Sequence, residues 1–185
     1  MRTEAEKITL GSVLNYIMEY TGDLPEIEDI CKPENLLGKT KRGAQVLYSC
    51  TKHEETDDQG TVYKEVITAE EASVKLGLIT FNGNTMAKLV DRCKVTEDKA
   101  KGRRTVKIGG GGNAQGKRWV LCCHHEDKKD GDIWVRIVGT NKNGLSLTYA
   151  LDDATKLEPE FRCQPADGEG TLIYYDEQIK KTTET

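Results

Sequence analysis

Short β-branched runs, separated by polar turns with hardly a helix-length segment between them, constrain this chain more than any other feature. They lie at residues 46–50, 61–67, 76–81, 105–108, 118–123, 133–138, 145–149 and 171–175. Parallel strands need crossovers of a dozen residues or more, usually helical, so runs joined this closely predict antiparallel sheet. Two helical patterns interrupt them, at 85–91 and 152–157. Ahead of them Val13, Leu14, Ile17 and Met18 recur at helical spacing, with Ser12 placed to cap and Gly22 to stop. That spacing predicts a helix over 12–20. Residues 21–43 carry Pro25, Pro33 and Gly38 among acids and read as an extended arm, with a turn of helix near 33–37.

An internal resemblance refines this. Residues 46–54 match 120–126 in pattern, each stretch ending in a His-Glu pair and followed by an acidic turn that closes at Gly60 or Gly131. Residues 61–67 and 132–138 then match as well, although the offset drifts further along. Two hairpins obeying the same alternation look alike without duplication, so the repeat is an expectation resting on pattern. The predicted fold is mainly β, with α+β possible. It comprises an N-terminal helix and arm (1–43), a first β-rich unit (44–108), a Gly-rich basic connection (109–117), a second β-rich unit (118–176) and a tail (177–185), the two similar antiparallel units packing as one globule.

Only 36% of residues are hydrophobic against 31% charged, so the core must be economical. No window approaches the roughly 18 apolar residues of a membrane helix, and the first residues lack the apolar stretch of a signal peptide. The six cysteines are therefore expected to be free thiols in a reducing, cytoplasmic setting, with no membrane partner.

Charge is distributed unevenly about a net of −4. Residues 99–118 contain Lys99, Lys101, Arg103, Arg104, Lys107, Lys117 and Arg118 and no acid, whereas 152–177 hold eight acids against Lys156 and Arg162. From Gly111 the basic block satisfies G-x-x-x-x-G-K, but Arg118 stands where a Ser or Thr would hold Mg²⁺, and the residues after it alternate like a strand. A phosphate loop needs a helix there, so nucleotide binding is not expected. The block is instead read as a mobile hairpin loop joining 105–108 to 118–123. With Trp119 beside it, it is expected to follow a phosphate backbone by charge rather than base recognition, with Lys39, Lys41 and Arg42 extending the patch.

Cys122, Cys123, His124 and His125, with Cys50 and His53, are the candidate metal ligands. Successive residues of a strand point to opposite faces, so at most two of the four adjacent ones can meet one ion, and no metal is expected. None of the motifs Gly-x-Ser-x-Gly, His-Glu-x-x-His or Asp-Thr/Ser-Gly occurs, so neither catalysis nor a cofactor is expected. The primary expectation is a non-catalytic, sequence-nonspecific RNA-binding protein using Lys99, Lys101, Arg103, Arg104, Lys107, Lys117, Arg118 and Trp119. The alternative is a subunit of a homo-oligomer or shell, held by basic block against acidic block and by an exchanged N-terminal arm.

Overall fold

The computed structural model describes residues 9, 11–152 and 154–179, without the side chain of Arg42. The chain is mainly β, with 48% strand and 10% helix. The strands are β1 (Leu14–Glu19), β2 (Leu36–Gly38), β3 (Thr40–Thr56), β4 (Tyr63–Leu78), β5 (Cys93–Asp98), β6 (Arg103–Ile108), β7 (Trp119–His125), β8 (Ile133–Asn141), β9 (Glu160–Gln164) and β10 (Tyr174–Glu177). Two short helices accompany them, α1 (Ile27–Ile30) and α2 (Gly83–Leu89). All pairings are antiparallel, and eight strands share one sheet in the order β2-β1-β7-β8-β9-β4-β3, with β10 added to β8.

Only Lys39 separates β2 from β3, so the two ends of that order are consecutive along the chain and the sheet nearly closes on itself. Gly38 makes the passage possible: its φ is +155°, and a Cβ there would lie 2.3 Å from the Thr80 carbonyl oxygen. On either side, the Lys39 N–H donates to Thr80 Oγ1 at 2.7 Å and the Ile79 N–H to the Lys39 carbonyl at 2.9 Å.

Inside the sheet, Ile17, Val74, Leu78, Leu121, Ile137 and Phe161 form the main core. A second cluster, Tyr16, Ile30, Val120, Cys122 and Val138, covers the outer face of β1, β7 and β8. Strand β7 is therefore buried on both faces, which is why its sequence runs Trp-Val-Leu-Cys-Cys rather than alternating with polar residues.

The N-terminal helix expected over 12–20 is replaced by β1, which pairs with β7 along its whole length and with β2 on its other edge. Asn15, Tyr16 and Ile17 are buried in succession, on both faces of a strand, so the apolar spacing that fits a helix fits a doubly covered strand equally well. The extended arm is also corrected. Residues 21–38 fold onto the sheet: Ile30 is buried in the outer cluster, Leu37 enters the main core, and Arg136 Nη1 donates to the Pro25 carbonyl at 2.9 Å. The expected turn near 33–37 is present as a 3₁₀ turn at Pro33–Asn35.

The hairpins β3–β4 and β7–β8 form where the two halves of the repeat were read, but the sheet does not divide into two packed units. Strand β9 lies between β8 and β4, and β1 pairs with β7 across the sequence. Residues 145–149 are not a strand and the described part of 152–157 is not a helix; Asp153 lies outside the described residues. Leu157 instead bridges Leu78. No helix among the described residues is long and apolar enough to cross a membrane.

Two hairpins stand apart from this body. Strands β3 and β4 outrun their neighbours, for β4 pairs with β9 only at residues 73–75, leaving 49–71 as a free two-stranded ribbon. Strands β5 and β6 form a separate sheet resting on α2. Asn82 caps α2 by accepting the N–H groups of Asn84 and Thr85, and Gly83 has room only for hydrogen, because a Cβ would meet Arg104 and Val106 side-chain carbons at 2.8 Å.

Candidate assembly and polyanion surfaces

The structure divides the eight residues expected to bind phosphate. Lys99 and Lys101 lie in the turn of the β5–β6 hairpin, and Arg103, Arg104 and Lys107 lie on β6. Arg104 faces α2 and pairs with Glu97 at 2.7 Å, and Lys101 pairs with Asp98 at 3.5 Å. Lys117 and Arg118 belong to a different place: Lys117 pairs with Glu19 at 2.6 Å, and Arg118 sits 4.6 Å over the Tyr20 ring. Trp119 is 9% exposed in the core and offers no stacking face.

The Gly-rich connection is not the mobile hairpin loop expected. β6 pairs with β5 rather than β7, and residues 109–118 lead from one sheet to the other. They are pinned by Gln115, whose Nε2 donates to the Ala87, Val90 and Cys93 carbonyls at 3.0, 3.3 and 3.0 Å. A 3₁₀ turn at Gly111–Asn113 opens the Gly-rich segment, and β7 follows Arg118 where a phosphate loop would need a helix. Lys39 and Lys41 are exposed, on the closure strand rather than on the β5–β6 hairpin, and the Arg42 side chain lies outside the described residues.

What remains is one basic face. Lys94 and Lys107 are register partners, and Arg103 stands on the same side of the ribbon opposite Asp98, whose carboxylate Lys101 already takes. Like charges directly opposite in a ladder repel, so this pair is retained at a cost that an anion would relieve. Lys94 escaped the sequence analysis because Cys93–Asp98 was not read as a strand, although the turn at 99–102 followed by 103–108 is a hairpin signature.

The larger surface is the β3–β4 ribbon. Counting from the Ser49–Glu71 pair to Thr56–Tyr63, it extends roughly 23 Å at about 3.3 Å per residue. Its tip is closed by Asp57, whose carboxylate accepts the N–H groups of Thr61 and Val62 at 2.6 and 2.7 Å; the Thr61 contacts hold its pKa below the usual range. Residues 49–71 carry seven acids against Lys52 and Lys64. Glu54 and Glu65 are register partners, and Glu70 on the same face accepts the Tyr48 hydroxyl. Between these acids Tyr63 is 59% and Ile67 55% exposed. Sequence analysis broke this ribbon into short runs; the signal missed was an unbroken stretch without Pro or Gly on each side of one turn.

Three acids of the 152–177 block are engaged within the chain. Glu160 pairs with Lys142 at 3.0 Å, Asp176 with Arg136 at 2.9 Å, and Asp167 caps its own loop at Thr171 and Tyr174.

The cysteines and histidines are split as strand geometry requires. Cys122 and His124 face outward, with the Cys122 and Cys31 Sγ atoms 3.7 Å apart and His124 Nε2 2.9 Å from Asp132. Cys123 lies in the inner core and His125 Nδ1 is 3.2 Å from the Ser12 carbonyl oxygen, while Cys50 and His53 stand on the ribbon. Among the described residues no group of three or more His, Cys, Asp or Glu is placed to hold a metal. A cleft of about 510 Å³ beside residues 143–159 is lined by Asn143, Lys156 and Glu158 among small and apolar residues. No protein-family model matches the chain, and no curated protein matches its sequence.

Proposed function

We propose that the protein is a non-catalytic structural subunit that assembles with copies of itself, and that the β3–β4 ribbon is its joining element. The observation carrying this is that no third strand or helix among the described residues supports the ribbon beyond its base. A two-stranded hairpin is marginal in water unless a third strand or a helix covers an apolar face. Over residues 49–71 neither strand has an outer neighbour among the described residues, and Tyr63, Val66 and Ile67 remain exposed. Open edges of this length are templates for pairing with another chain. A ribbon that docks on a neighbour supplies what the chain itself does not.

RNA binding is kept as a second reading on one specific observation, the Lys94–Lys107 pair with Arg103 beside it. It is supported less because Lys117, Arg118 and Trp119 are occupied elsewhere. Sedimentation velocity at low and high salt, with and without a mixed-sequence RNA, separates the two. Self-association without RNA supports assembly. A monomer that shifts only with RNA supports the second reading and defeats the first.

A further inference from the structure

We infer that the seat of the ribbon is the outward face of the β5–β6 hairpin of a second copy, where Lys94, Arg103 and Lys107 receive the ribbon's Glu54, Glu65 and Glu70. This rests on the assembly reading and names the partner surface for it.

The two hairpins complement each other. The ribbon has seven acids against two lysines, and β5–β6 with its turn has six bases against Glu97 and Asp98. On the ribbon Glu54 stands opposite Glu65, which Lys52 holds at 2.6 Å, and on the seat Lys94 stands opposite Lys107. The Lys94–Lys107 pair repels itself and attracts the ribbon's acids, so docking relieves it. Both hairpins are two-stranded with open edges, and β5–β6 covers only its inner face with α2. Stacking one on the other gives each the support it lacks.

A second copy is the occupant the chain itself specifies, because every copy carries both halves of the contact. Ribbon and seat are different surfaces, so the contact is head-to-tail and propagates into a closed ring or an open fibre according to its rotation. Where a partner's acids displace solvent from the Lys94–Lys107 pair, polyanions compete for the same face. RNA is thus a competitor in the test rather than the proposed partner.

Charge reversal with complementation tests the inference. One variant carries Glu54→Lys and Glu70→Lys, the other Lys94→Glu and Lys107→Glu. Each alone should self-associate at least tenfold more weakly than the parent by sedimentation equilibrium. Their equimolar mixture should assemble again, since the reversed ribbon of one meets the reversed seat of the other. Recovery in the mixture also demonstrates that both variants are folded. Singles that associate as the parent does, or a mixture that stays monomeric while circular dichroism shows both folded, would overturn the seat and leave assembly through the ribbon standing. A parent that is monomeric at every concentration and salt would overturn both. A labelled RNA that binds the parent without any parent self-association would hand the basic face to the second reading.

Discussion

Replacing Asn141 by Asp is a stringent test of the packing, because the two side chains have the same shape and opposite hydrogen-bonding character. Asn141 ends β8, is 8% exposed, and ties three segments together. Its Nδ2 donates to the Leu89 carbonyl at the end of α2 and to the Gly144 carbonyl, both at 2.8 Å. Its Oδ1 accepts the N–H of Glu160, which opens β9, at 3.0 Å and that of Asn143 at 3.2 Å. With Asn141→Asp the two accepted bonds survive, but a carboxylate oxygen faces two carbonyl oxygens. Each buried acceptor left without its donor costs about 1–3 kcal/mol, so the loss should be about 2–6 kcal/mol at neutral pH. For a chain of this size each kcal/mol moves the melting point by about 2–4 °C, so a fall of about 4–24 °C is expected. The sign of the pH dependence follows. Burial against carbonyls raises the introduced carboxyl's pKa above its unfolded value of about 3.9, so the deficit is smallest below that value and grows as pH rises toward the folded pKa. Thermal melts by circular dichroism, run on parent and variant at each pH, read this directly. A loss under about 1 kcal/mol at neutral pH, or a gap that fails to narrow on acidification, would refute the placement of Asn141 among those carbonyls.

Other outcomes follow from the same packing. Phe161 is fully buried on the strand that joins β8 to β4, so Phe161→Ala should cost about 3–5 kcal/mol in urea unfolding; a cost under about 1.5 kcal/mol would put β9 outside the core. Cys50 is exposed, whereas burial pushes the Cys123 thiol up to about 12 and the Cys163 thiol up to about 11. A thiol reagent at neutral pH should therefore label Cys50 far ahead of these two in the folded chain and all six cysteines after denaturation, and rapid labelling of Cys123 would contradict the inner core. Burial alone would raise the Asp132 pKa, but the Asp127 N–H and His124 outweigh it and leave it lowered. Its contribution is thus present above the unfolded value of about 3.9 and is lost as pH falls through the folded one, so Asp132→Asn should flatten the acid limb of the stability curve. An unchanged acid limb would show that the His124–Asp132 contact contributes nothing there.

The antiparallel, mainly β character was legible because the runs lie too close together for crossover helices, and α2 was legible to within two residues from the helical pattern at 85–91, though its Asn82 cap was not read. Strand β1 was not, since Leu14, Ile17 and Met18 satisfy a helical period, and only pairing with β7 on one side and β2 on the other reveals a strand buried on both faces. Strands β2 and β9 are three and five residues long and carry little periodicity of their own. Of the candidate site, the basic segment was correctly seen as unbalanced, but its division was invisible. Lys117 and Arg118 follow a pinned turn onto β7, where Glu19 at the end of β1 and Tyr20 just past it meet them from nearly a hundred residues away in sequence. The acidic partner was sought at 152–177, where charge is dense. Under the assembly proposal it stands at 49–71 instead, on a ribbon that only long-range pairing defines.

Shortening the ribbon tests the account most directly. Ser49 and Glu71 are register partners, so joining them through Asn-Gly in place of residues 50–70 replaces the ribbon with a tight turn and leaves the residues that face the core untouched. The account predicts a chain that melts cooperatively near the parent temperature and sediments as a monomer at concentrations where the parent associates. A shortened chain that associates as strongly as the parent would contradict it.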